Sequence, residues 1–68
     1  MKRKRQPVFF KLGESKHDPA DDQWEHSYTV YYDDETEETR MGSKREYQWQ
    51  AHHSAIIEAT GIVDQQQP

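Results

Sequence analysis

The chain has 68 residues, 13 acidic and nine basic side chains, a net charge of −4 and no cysteine. That length excludes a usual two-domain enzyme, and the absence of thiols excludes disulfide staples and thiolate metal sites. Nine Leu, Ile, Val and Phe residues are few for a core, so the aromatics, each able to bury roughly 150–250 Å², must supply most of it.

Residues 1–6 (MKRKRQ) show no apolar periodicity and read as a flexible basic tail. They also lack the apolar h-region of a secretory signal, and no run of about 18 apolar residues follows, so a soluble cytoplasmic protein is expected. Pro7 opens PVFFKL, a short strand with Val8, Phe10 and Leu12 on one face and Phe9 and Lys11 on the other. Gly13 is expected to end it, with a loop over 14–22. Residues 23–32 then alternate strictly: Trp24, His26, Tyr28, Val30 and Tyr32 share one face, with Tyr31 on the other. Asp33-Asp34-Glu35-Thr36 is a turn. Residues 37–41 return as a Glu-rich edge strand with Thr39 and Met41 on one face.

Ser43 and Glu46 match a capping box, and Gly61 sits where a left-handed C′ residue would end a helix. Between them Trp49, His53, Ile56, Ile57 and Thr60 fall on one side. A rival reading runs a fourth strand through Tyr47, Trp49 and Ala51; the two end signals favour the helix. Ile62-Val63 is open to a short final strand, and 64–68 read as a disordered tail.

The expected architecture is α+β: a three-stranded antiparallel sheet followed by one C-terminal helix packed on one face (β-β-β-α), forming a single domain over 7–63. The helix is expected to cover Phe10, Leu12, Trp24, Tyr28, Val30, Tyr32 and Met41. Phe9 and Tyr31 are left on the opposite face.

Catalysis and metal binding find little support in the sequence. Carboxylates abound, but in loops and turns without a pocket to shift a pKa, and no phosphate loop, dinucleotide fingerprint or zinc-protease helix is present. His52 and His53 are adjacent, so on a helix they diverge by about 100°, and His26 reads as a core imidazole. The expectation is therefore a non-enzyme without metal or cofactor.

Charge is distributed in blocks: +5 over residues 1–16, −9 over 17–38 and zero over 39–68. The acidic middle, interleaved with residue types enriched at binding hot spots, suggests a small protein-interaction module. It would act as an inhibitor or nucleic-acid-mimicking decoy of phage or mobile-element type, docking on a basic partner. Phe9, Tyr31, Asp33, Asp34, Glu35 and Glu38 form its expected contact surface. The alternative is a nucleic-acid-binding accessory protein using Lys2, Arg3, Lys4, Arg5, Lys44 and Arg45. A homodimer burying Phe9 and Tyr31 is a further possibility.

Overall fold

A computed structural model of the chain describes residues 5–64. Lys2, Arg3 and Lys4 of the basic run lie outside these residues. Strands β1 (Pro7–Asp18), β2 (Gln23–Tyr32) and β3 (Glu37–Met41) form an antiparallel sheet in the order β1-β2-β3, followed by one helix, α1 (Gln48–Asp64). This is the β-β-β-α arrangement that the patterning predicts. The bounds of β2 and β3 also match, because a strict period of two leaves little freedom in register.

Strand β1 does not end at Gly13. Beyond it, Ser15–Asp18 pair with His26–Gln23, and the expected loop shrinks to residues 19–22. Gly13 instead lies at the register shift between Leu12 and Ser15. There the Glu14 N–H donates to Ser27 Oγ at 3.0 Å. The Ser27 hydroxyl fills the space that a Cβ on Gly13 would need, so glycine lets the bulged backbone approach β2.

The helix is displaced towards the C-terminus from its expected ends. Arg45 and Trp24 exchange backbone hydrogen bonds of 2.7 and 2.9 Å, so this segment bridges to β2 before any helix starts. The Ala51 N–H donates to the Tyr47 carbonyl as the first turn closes. The Ser43 N–H donates to Glu58 Oε2 at 2.9 Å, tying Ser43 to the helix side rather than capping its start. Gly61 is helical, no glycine among the described residues has a positive φ, and Ile62 and Val63 continue α1 instead of forming a strand. The helix includes Asp64, which the sequence places in a tail; residues 65–68 of that tail lie outside the described residues. Gln6, likewise assigned to a tail, exchanges hydrogen bonds with Asp33: its N–H donates to Asp33 Oδ1 and its carbonyl accepts from the Asp33 N–H.

The helix also turns a different face inward. Ala51, Ala55 and Ala59 are fully buried, and Tyr28, Val30 and Tyr32 meet Ala55 and Ala59 across the core, with Phe10, Leu12 and Ile62 packed around them. Trp49 and Ile57 are 66% and 60% exposed. The two stripes, 51-55-59 and 49-53-57, share the same four-residue spacing. Two residues at about 100° each set them some 200° apart. The sheet already presents bulky Tyr28 and Tyr32, and Gly42 brings its backbone against Ala55, so only small side chains fit between the layers.

Met41 is likewise not under the helix. The pairs Ser27↔Met41 and Thr29↔Thr39 put Met41 and Thr39 on the outer face with Tyr31, where the Thr29 and Thr39 hydroxyls hydrogen-bond at 3.0 Å. Helix α1 packs on β1 and β2. The inner face of β3 therefore carries Glu38 and Arg40, register partners of Val30 and Tyr28.

Candidate functional site

Phe9 and Tyr31 are brought together on the outer sheet face. Their rings stack with centroids 4.5 Å apart and planes 10° from parallel, and Phe9 is 48% exposed. The β1–β2 register pairs them directly, just after a shift between Pro7 and Phe9 that leaves Val8 exposed as well. Lys11 Nζ lies 5.9 Å from the Tyr31 ring centre. A stacked aromatic pair contributes about 0.5–1.5 kcal/mol beyond its buried area, so the platform is held in shape before any partner arrives.

The acidic turn follows Tyr31 and Tyr32 and closes the β2–β3 hairpin. The Thr36 carbonyl accepts from the Tyr32 N–H at 2.9 Å, and Glu35 takes a left-handed φ of 70°. Asp34 accepts hydrogen bonds from the backbone and hydroxyl of Thr36. Those bonds hold its carboxyl below the usual range, so Asp34 stays charged through the physiological range. Asp33 uses one oxygen to fix Gln6. Asp33, Asp34 and Glu35 are all exposed.

Glu38 is separated from this group. It lies on the inner face, where Arg40 Nε donates to its Oε1 at 2.6 Å, the Tyr32 hydroxyl donates at 3.3 Å and Arg5 Nη2 stands 3.8 Å away. The Arg40 guanidinium holds the Glu38 carboxyl below its usual value. Glu37 takes its place on the outer face as the cross-strand partner of Tyr31, and it is exposed. The sequence signal for this exchange is parity: Glu37 is odd like Thr39 and Met41, and all three follow Tyr31.

The described cations of the alternative site are spent on neighbours. Lys44 Nζ donates to Asp18 Oδ2 and Asp21 Oδ2, each at 2.9 Å, with Glu25 at 3.8 Å. The two aspartates raise its pKa well above the ordinary lysine value. Arg45 donates from Nε to Ser54 Oγ at 2.7 Å. Arg5 stacks 4.0 Å over the Tyr32 ring and donates to Thr36 Oγ1. These groups are scattered over three places and do not form one cationic surface.

Sequence patterning misses two features. One is the exposed outer stripe of α1, Trp49, His53 and Ile57, beside the exposed Tyr47; the alanines at 51, 55 and 59 are the signal that could have found it. The other is the approach of His26 to His52, which no local spacing encodes. No helix among the described residues is long and apolar enough to cross a membrane. In comparisons with protein-family models, curated proteins and solved structures, this chain matches none.

Proposed function

We propose that this chain is a non-enzymatic interaction module, acting in the cytoplasm, that docks its outer sheet face on a basic protein surface. The observation that carries this reading is the stacked Phe9–Tyr31 pair on the face opposite α1, with Glu37 paired to Tyr31 and the exposed carboxylates of Asp33, Asp34 and Glu35 in the turn that follows β2. The carboxylates would steer a cationic partner towards the platform, and aromatic burial would then slow its release. A partner whose own basic surface normally meets nucleic acid fits this charge pattern, which makes an inhibitor or decoy the favoured role. Glu38 supports the hairpin from the other side and does not belong to the contact surface.

The test is capture of partners from lysate of the source cell, with and without nuclease, on the immobilised chain. Two variants run in parallel, F9S/Y31S and D33K/D34K/E35K. The expected result is a discrete protein that survives nuclease and whose recovery falls at least about tenfold with either variant, or about 1.4 kcal/mol. Capture that needs intact nucleic acid, or that strengthens on charge reversal, overturns the reading in favour of phosphate binding through the basic run. A chain that sediments at twice its mass and dissociates in F9S/Y31S would show that the platform serves a homodimer instead.

A further inference from the structure

His26 of β2 and His52 of α1 lie edge to face with ring centroids 4.8 Å apart. His26 is 7% exposed, and its Nε2 is buried without a hydrogen-bond partner. Burying a polar nitrogen unpaired costs on the order of 1–3 kcal/mol, so its retention in a small core invites a reason. Its other nitrogen, Nδ1, is 2.8 Å from Ser15 Oγ. With Nδ1–H donating to Ser15, the Nε2 lone pair is free, and the ring is oriented as metal-binding histidines are by their outer hydrogen bond. Ser15, Gln48 and Trp49 complete a recess around the two imidazoles.

We propose that His26 and His52 form a binding site for a divalent first-row transition-metal ion of the imidazole-preferring class, such as Zn²⁺ or Cu²⁺. Two imidazoles that bind one ion through nitrogens about 2.0–2.1 Å away, at roughly 90–110°, hold their ring centres roughly 4.5–5.2 Å apart. The observed 4.8 Å falls within that span. Among the described residues no three His, Asp or Glu side chains converge on one point. Two imidazoles therefore supply the protein ligands, and water or the Gln48 amide oxygen takes the remaining positions. The groups facing the pair are uncharged: Ser15 and the Gly13 backbone from β1, and Gln48 and Trp49 from α1. Among the described residues, no ammonium or guanidinium lines this recess. Since one ligand is on the sheet and the other on the helix, the ion would join the two layers, and binding would appear as stability.

The experiment is thermal unfolding of the full chain, stripped with EDTA and then titrated with ZnCl2, with MgCl2 as the hard-cation control. His52→Ala is the test variant because His52 is exposed and the fold does not depend on its burial. His53→Ala and His17→Ala are the controls. A Zn²⁺-dependent rise in Tm is expected in wild type and in both controls, with binding weakened at least about tenfold in H52A. Imidazole resonances of His26 and His52 should shift together on titration. A wild-type Tm that Zn²⁺ does not move, or a rise that persists undiminished in H52A, overturns the proposal.

Discussion

Gly42 and Ala55 meet so closely that a Cβ on Gly42 would stand 3.3 Å from both the Cα and the Cβ of Ala55. The Gly42 N–H donates to the His26 carbonyl at 3.0 Å, which fixes the chain beside β2 as it leaves β3. The approach sets the spacing between helix and sheet, and through it the side chains that α1 can turn inward.

Enlarging either residue should therefore unseat the helix. Ala55→Leu is expected to destabilise the fold by about 1–3 kcal/mol through overpacking, measured as a lower urea midpoint at unchanged slope. An unchanged midpoint would mean that α1 does not sit on its alanine stripe.

The opposite stripe gives the complementary expectation. Trp49→Ala and Ile57→Ala remove large apolar groups that are already mostly in water. Each should change stability by no more than about 0.5 kcal/mol. Loss of a buried side chain of that size would cost about 2–5 kcal/mol, so chemical denaturation of these two variants reads the rotation of the helix directly.

Gly13 and Ser27 form a pair suited to a double-mutant cycle. Gly13→Ala pushes a methyl group into the Ser27 hydroxyl and should be destabilising by about 1 kcal/mol or more. Ser27→Ala loses the Glu14 N–H bond, but in the Gly13→Ala background it relieves the clash. The coupling should be favourable by about 0.5 kcal/mol or more; strict additivity would place the two side chains apart.

His26 makes stability depend on pH near neutrality. Burial, followed by the neighbouring His52, lowers its pKa below the ordinary 6.5, against a smaller opposing effect of the Gly13 backbone. The unfolded chain then binds the proton more readily than the folded one. Stability is full above about pH 6.5 and falls as pH drops from there through the folded pKa. His52→Ala removes the second-largest cause, so urea midpoints should fall less between about pH 7 and about pH 5 in that variant than in wild type. Asp34 and Glu38, whose pKa values are lowered, act in a separate and more acidic window. They favour the fold above the ordinary carboxylate pKa and cease to do so as pH falls through their lowered values.

Lys44 should control the titration of Asp18, whose carboxyl it lowers more than any other group does. Lys44→Met is expected to return the Asp18 pKa towards the usual carboxylate range, read from side-chain carbonyl shifts by NMR. The effect on stability should be small, because Lys44 is exposed and Asp18 only half-buried. An Asp18 titration unmoved by K44M would show that the ion pair does not persist in solution.

The sequence by itself determined the sheet and the existence of a following helix. Strict alternation from Gln23 to Tyr32 leaves one register in which Tyr28, Val30 and Tyr32 are buried together, and the turn chemistry of Asp33 to Thr36 closes the hairpin locally. It also placed Phe9 and Tyr31 on a shared outer face. Tertiary structure decided the rest. Periodicity says which helical residues share a side, but the surface they meet decides which side goes inward. Aromatics on β2 and the backbone of Gly42 admitted Ala51, Ala55 and Ala59 and turned Trp49 and Ile57 outward. Pairing with Trp24 likewise drew Arg45 into a bridge that outcompeted the local capping signal. His26 and His52, 26 positions apart, were joined only when α1 settled on the sheet, because a contact between two distant elements is set by the packing that carries them and by no spacing within either one.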